Sequence, residues 1–323
     1  MRCPKIFARV LLLGALEVAA LACRPAPPPE QPGFRVRLLT SGVTSAFWER
    51  SSERGLGLIA AELGAEIERI RATESSDRRS RLRTLGRDGV DLVFCIGPEA
   101  EALVYTEAVA FPDTIFVVIP GEIAGPNVGG VVFMTEEAGY LAGAVAASVS
   151  GTPAVGLLRG AGRPWLERLE AGFVAGFRSS RDDARVITAE GNQGPWQLAG
   201  ESVEIALYST DRVDRQTVSS AHDAGVSLVV TDPDLLDAEP DVVFAAVEVN
   251  VAEAMLRVAR EVRDRSFSGK VYAFDLGSGV LDVRLNPGLA PPDRDTALRD
   301  ALERARSEIT AGWVEIEELG IGR

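Results

Sequence analysis

The chain of 323 residues is 46% hydrophobic and 25% charged, a globular composition long enough for two lobes of roughly 100–150 residues each. Its formal net charge of −13 argues against a nucleic-acid partner, because phosphate binding needs a basic face. One histidine, His222, and three cysteines, Cys3, Cys23 and Cys95, cannot assemble a Cys/His zinc site, so no metal and no cofactor are expected.

The chain opens on MRCPKIFARVLLLGALEVAALAC, with basic Arg2, Lys5 and Arg9, then an apolar run interrupted by Glu17, then small residues. This pattern predicts a signal peptide over residues 1–22, with an apolar run too short to span a bilayer. Ala20-Leu21-Ala22-Cys23 has two readings. It fits a bacterial lipobox, with Cys23 lipidated and terminal, although the leucine usual three places before the cysteine is Ala20 here. It also fits a plain A-x-A cleavage site. The proline-rich RPAPPPEQPG that follows favours the lipoprotein, because residues 23–33 then form an extended tether. A single acylated cysteine would hold the protein on a bacterial membrane, facing the periplasm or exterior, without crossing it.

Beyond Gly33, short β-branched runs alternate with segments of helical period. RVRLLT, EIERIRA, VDLVFCIG and TIFVVIP read as strands, with helices at 46–63, in SDRRSRLRTLGRDG and in PEAEALVYTEAVAF. The pattern restarts near Thr152. PAVGLLRG, ARVITAEG, SVEIALYST, VSLVVTD, DVVFAAV and KVYAFDL read as strands. RPWLERLEAGFVAGFRSS, DRQTVSSAHDAG, NVAEAMLRVAREVRDRS and a final DTALRDALERARSEITAGW read as helices. The expectation is an α/β protein with two doubly wound parallel sheets. Between the two halves, VFMTEEAGYLAGAVAASVS predicts a strand end followed by a helix. Thr135 is its expected cap, and Glu136 and Glu137 suit the positive end of the helix dipole. Gly139, Gly143 and Ala147 share one face, expected to lie close against a sheet. The run from Ala138 to Ser150 is too short to span a membrane.

Ligands of open α/β sheets bind beyond the carboxyl ends of the strands. Residues just past those ends are therefore the site candidates. Phe47 and Trp48 offer rings for stacking, and Trp165 a cleft lining. Gly97 allows backbone to approach the ligand. Asp232, after VSLVV, offers a polar group. His222 falls within a helix and Cys95 within a strand, where it reads as a small buried hydrophobe. No nucleophile motif, phosphate loop or metal spacing points to an enzyme.

DGVDLVFCIGPEAEALVYTEAVAFPDTIFVVI, GPNVGGVVFMTEEAGYLAGAVAA, AVGLLRG and LERLEAGFVAGF, in this order and spacing, resemble the basic membrane protein family. Its members are nucleoside-binding lipoproteins that serve ABC importers. The resemblance covers about Arg35 to Asp282 and implies a type I periplasmic-binding-protein fold, crossed three times between lobes. The crossings are expected near Phe133–Thr135, Val247–Val249 and Leu276–Val280. Lobe 1 would then comprise 34–133 with 249–276, lobe 2 would comprise 134–248, and 277–323 would be a crossover and C-terminal helix. The implied partners are a nucleoside-like solute and an ABC permease. A ligand-sensing or interaction lipoprotein without a permease is the alternative.

The family's Asp-x-Ser-Phe-Asn pattern, anchored on Arg54-Gly55-Leu56, places Ser45 at its aspartate, Trp48 at its phenylalanine and Glu49 at its asparagine. Pro120 stands where the family has aspartate, and YSTDR (Tyr208–Arg212) where it has a glycine-rich turn. Asp232-Pro233-Asp234 keeps its Asp-x-Asp, and Glu248 falls where a lysine is expected. The resemblance thus adds Glu49, Tyr208, Asp211 and Glu248 to the ligand-binding candidates. Glu248 in a closed cleft would need a cation beside it, with Arg159 or Arg212 as its expected partner and a cationic or amine-bearing ligand as the consequence.

Overall fold

The computed structural model describes residues 33–41, 46–160, 164–289 and 295–312. The signal peptide, the tether as far as residue 32 with Cys23, and Ser45 lie outside them.

Two six-stranded sheets form the body of the protein. The first is built from β1 (Arg35–Thr40), β2 (Glu66–Arg71), β3 (Leu92–Ile96), β4 (Ile115–Ile119), β5 (Val128–Phe133) and β11 (Val271–Phe274), in the order β11-β5-β4-β3-β1-β2. The second is built from β6 (Ala154–Arg159), β7 (Arg185–Glu190), β8 (Ile205–Ser209), β9 (Ser227–Val230), β10 (Val243–Val249) and β12 (Leu281–Leu285), in the order β12-β10-β9-β8-β6-β7. The ladders are parallel except β10–β12.

Central strands are buried on both faces, as helices on each side require; β3, LVFCI, is buried throughout. Alternate residues feed opposite layers. Leu92, Phe94 and Ile96 join a core that runs through both lobes, whereas Val93 and Cys95 join a separate cluster on the other face. The edge strand β2, EIERIR, is mostly exposed and charged. Arg37 pairs with Glu66 and Glu68 there, and Arg69 with Glu49 and Glu53, which blunts the edge against pairing with other chains.

The helices are α1 (Ala46–Leu63), α2 (Ser75–Arg87), α3 (Glu101–Glu107), α4 (Thr135–Val149), α5 (Pro164–Arg178), α6 (Gly194–Gly200), α7 (Arg215–Ala224), α8 (Asp234–Ala238), α9 (Val251–Arg263) and α10 (Asp295–Thr310). The single helix expected over PEAEALVYTEAVAF is three pieces, with 3-10 turns at Pro98–Ala100 and Ala108–Ala110 flanking α3. Pro98 at the first helical position and the positive φ of Gly97, 111°, start the tighter turn.

The chain passes between the lobes three times, from β5 into α4, from β10 into α9, and from β11 into β12. The crossings hydrogen-bond to neighbouring strands and to one another. Met134 N donates to Phe274 O at 2.8 Å, Asn250 N to Val280 O at 2.8 Å, and Leu276 N to the Glu137 carboxylate at 2.9 Å. After the second crossing α9 returns to lobe 1, where a Cβ at Gly55 of α1 would stand 2.7 Å from Met255 Sδ.

The glycine face of α4 packs against α5, not against a sheet. A Cβ at Gly139 would run into the carbonyl of Leu169, and one at Gly143 into that of Phe173. The contact is reciprocal, because a Cβ at Gly172 or Gly176 would run into Glu136 O or Tyr140 O. Thr135 does not cap α4. Met134 holds that position, and the Thr135 hydroxyl donates to Trp165 O at 3.0 Å.

Candidate functional site

The carboxyl ends of strands from both sheets converge on the gap between the lobes. From lobe 1 come Phe47 and Trp48 after β1, Pro98 after β3, Pro120 and Gly121 after β4, and Phe133 at the end of β5. From lobe 2 come Trp165 after β6, Thr210 to Val213 after β8, and Thr231 and Asp232 after β9. Gly121 N donates to Val131 O at 2.9 Å, which holds the Pro120–Gly121 turn against β5.

Aromatic rings meet at the centre. Trp48 lies 5.9 Å from Trp165 at an interplanar angle of 81°, and 5.8 Å from each of Phe47 and Phe133. Edge-to-face pairs at these separations match the ring quadrupole. The Trp48–Trp165 contact joins a lobe 1 helix to a lobe 2 helix and stands between two cavities.

The larger cavity, about 290 Å³, is lined by the rings of Trp48, Phe133 and Trp165, by Pro98, Pro120 and Val132, and by polar Glu101, Glu122, Thr135 and Arg168. The smaller, about 130 Å³, is lined by Phe47, Trp48, Trp165, Thr210, Asp211, Arg212, Val213, Thr231 and Asp232. Much of the polar lining is already engaged. Trp165 Nε1 donates to Asp211 Oδ1 at 3.1 Å. Arg168 Nε donates to buried Glu136 at 3.0 Å, and its guanidinium also lies 3.8 Å from Glu122. Glu122 N donates to Glu101 Oε1. Across the smaller cavity, Arg50 of α1 pairs with Asp232 at 3.2 Å and Asp234 at 2.8 Å, an ion pair between lobes.

Five of the sequence candidates, Phe47, Trp48, Trp165, Asp211 and Asp232, line these cavities. Four do not. Glu49 turns toward Arg69 on the outer strand, 3.4 Å away. Gly97 lies beside the larger cavity and passes its place there to Pro98. Tyr208 faces the outer core of lobe 2, because the strand period sends Leu207 one way and Tyr208 the other. Its hydroxyl accepts from Asp214 N at 3.1 Å, and burial pushes its pKa above the ordinary tyrosine value. Glu248 pairs with Arg284 on the neighbouring strand at 3.0 Å, not with Arg159 or Arg212; Arg159 is held by Glu170 at 2.6 Å. His222 stands on α7 and lines neither cavity.

Arg50, Glu101, Phe133, Thr135 and Arg168 were not among the sequence candidates. Arg168 carried a usable signal, since it follows Trp165 by three residues on a helix and so shares its face. Phe133 ends a strand, but only the crossing geometry brings it to the cleft. Glu137 belongs to the hinge. Burial raises its carboxyl pKa above the ordinary range, the Leu276 N–H opposes the shift, and Asp275 and Glu136 add to it.

The model of the PnrA-like ABC transporter substrate-binding proteins matches residues 38–289. The chain is 22% identical over 309 residues to the ABC transporter nucleoside-binding protein BmpA of Lactococcus lactis, across 85% of this chain and 86% of that one. It superposes on a solute-binding protein of an ABC transporter system from Aeropyrum pernix with TM-score 0.71, at 17% identity, across 87% of this chain and 92% of that one. A transcriptional activator of the comK gene from Bacillus halodurans superposes with TM-score 0.72 at 23% identity, across 86% of this chain and 98% of that one.

Proposed function

The chain belongs to the PnrA-like ABC transporter substrate-binding family, and from that premise we propose that its lobes close on a nucleoside-like solute for delivery to an ABC permease. No bond is made or broken in this reading. The observation that carries it is the trio Trp48, Phe133 and Trp165, donated by both lobes to one cavity past the strand ends. At about 290 Å³ that cavity is at the lower end of small-molecule pockets. Its proline and aromatic walls suit a flat ring. Asp211 and Asp232 in the smaller cavity would accept sugar hydroxyls once the Trp48–Trp165 contact opens and joins the two spaces. The relative named as a nucleoside-binding protein supports this reading of the ligand.

A calorimetric and thermal-shift panel of purine and pyrimidine nucleosides, free bases and sugars on the full chain tests it. A true ligand at 100 times its Kd adds about 2.7 kcal/mol of stability. Saturable binding of a nucleoside, lost in Trp48→Ala, is the expected result. Sugar binding with silence from every nucleoside would overturn the ligand class. The neighbour named as a transcriptional activator favours a second reading, in which closure is sensed by a partner other than a permease. Co-purification of a permease with the liganded protein separates the two.

Lipidation at Cys23 belongs to the same proposal. Incorporation of labelled fatty acid that disappears in Cys23→Ala is expected. Unchanged labelling in that variant, or none in the parent, would leave the plain cleavage site.

A further inference from the structure

The larger cavity is short of free donors and rich in carboxylate. Its polar side chains are Glu101, Glu122, Thr135 and Arg168. The Thr135 hydroxyl is spent on Trp165 O, the Trp165 indole N–H on Asp211, and Nε and Nη2 of Arg168 on Glu136, with Nη1 3.8 Å from Glu122. Backbone donors at the rim are engaged too, Gly121 N by Val131 O and Glu122 N by Glu101. Two carboxylates, Glu122 and Glu136, therefore flank the one guanidinium, and a third, Glu101, lines the same cavity.

Glu122 is 74% exposed in this form, and once closure encloses it with a ligand it keeps its charge only where a cation or donors replace its water. The aromatic walls point the same way. Trp48, Phe133 and Trp165 line the space, with Trp48 inclined at 47° to Phe133 and 81° to Trp165. Three aromatic rings lining one small space offer a cation the chance to stack on a ring face once the edge-to-face pair parts. An anionic ligand would meet two carboxylates, Glu101 and Glu122, against the single guanidinium of Arg168, itself paired with Glu136.

Resting on the nucleoside-like reading of this cavity, we propose that its ligand is cationic: a flat heterocycle that carries its positive charge on the ring, held between the tryptophan and phenylalanine faces with Glu101 and Glu122 as counter-charges. A phosphorylated ligand is excluded by the same carboxylates. Arg168 is a positioning residue in this scheme, orienting Glu122 while Glu136 holds it.

Three probes test the proposal by calorimetric titration of the full chain at pH 7. They are adenosine, 1-methyladenosine (the same nucleoside with a positively charged base) and 1-methylnicotinamide (a flat cation without a sugar). The expected result is 1-methyladenosine tighter than adenosine by about tenfold or more, the factor that a cation–π contact supplies in a desolvated site. Glu101→Gln with Glu122→Gln should bring that ratio toward one, with a thermal melt confirming that the variant is folded. Equal affinities, tighter adenosine, or a ratio unmoved by the double substitution would overturn the charge inference and leave the nucleoside reading standing. Binding of 1-methylnicotinamide alone would uphold the charge and overturn the nucleoside. Silence from all three would overturn both.

Discussion

Helix α5 makes two contacts of opposite kinds. Along its length it meets α4 through glycines, backbone against backbone, with Gly139 and Gly143 facing Gly172 and Gly176. At its first turn it meets α1 through Trp165 and Trp48, beside cavities and ion pairs. The first contact has no room for a side chain and stays shut. The second is made of rings and charges that can part and rejoin water, as a cleft that admits a ligand must. One helix thus serves as a fixed wall of lobe 2 and as one jaw of the site. The difference is whether the residues facing the neighbour have side chains at all.

The sharpest way to break the comparison is to put volume into the closed contact. Gly143→Leu would drive a side chain into the Phe173 carbonyl, which cannot retreat without moving the helix. The expected cost is about 3 kcal/mol or more, a fall in Tm on the order of 10 °C. Gly57→Ala is the control. It lies in α1 with nothing within 4 Å of the added methyl, and should stabilise by about 0.5–1 kcal/mol. Equal melting of the two variants would mean that the α4–α5 contact is loose.

The open contact should respond in binding. Trp48→Ala removes the ring shared by both cavities and is expected to abolish ligand binding while the protein remains folded. A double-mutant cycle of Trp48 and Trp165, read by thermal melting without ligand, should give about 0.5–1.5 kcal/mol for the edge-to-face pair. A coupling near zero would mean that the lobes stand apart in the free protein.

The two contacts were not equally legible in the sequence. Strands and helices could be placed from hydrophobic period and turn residues, because tertiary packing here follows those patterns closely. The spacing of Gly139 and Gly143 marked a face made for close approach but not what approaches it. The matching spacing of Gly172 and Gly176 in EAGFVAGF was the missing half of the signal. At the cleft, position after a strand found Trp48 and Trp165, since that rule concerns strand ends, and the family pattern found Asp211 and Asp232. The family pattern failed at Tyr208 and Glu248, which lie inside strands, where one residue of strand period decides which face a side chain takes. Arg50 escaped because its partners, Asp232 and Asp234, lie about 180 residues away and belong to the other lobe.

That ion pair yields a smaller effect. Arg50 is 44% exposed, so its bridges to Asp232 and Asp234 contribute about 0.2–1 kcal/mol and weaken in salt. Arg50→Ala should barely change Tm. It should shift the unliganded protein toward open forms, seen as a larger radius of gyration by solution scattering, and the parent should approach the variant at high salt. An unchanged radius at low salt would mean that the aromatic contact alone sets the distance between the lobes.

The smallest expected effect lies at the hinge, where neither contact reaches. Burial raises the Glu137 pKa, so the folded state disfavours its charged form. A carboxyl with a raised folded pKa costs stability above that value, and the cost is relieved as pH falls through it toward the unfolded pKa. Glu137→Gln removes the charge and keeps an oxygen for the Leu276 N–H. The variant should therefore melt slightly above the parent near pH 7.5, and the difference should shrink toward pH 5. A difference of the opposite sign at pH 7.5 would mean that the charged hydrogen bond to Leu276 outweighs burial. The hinge would then be held by an ionised carboxylate, and the third crossing would loosen in acid.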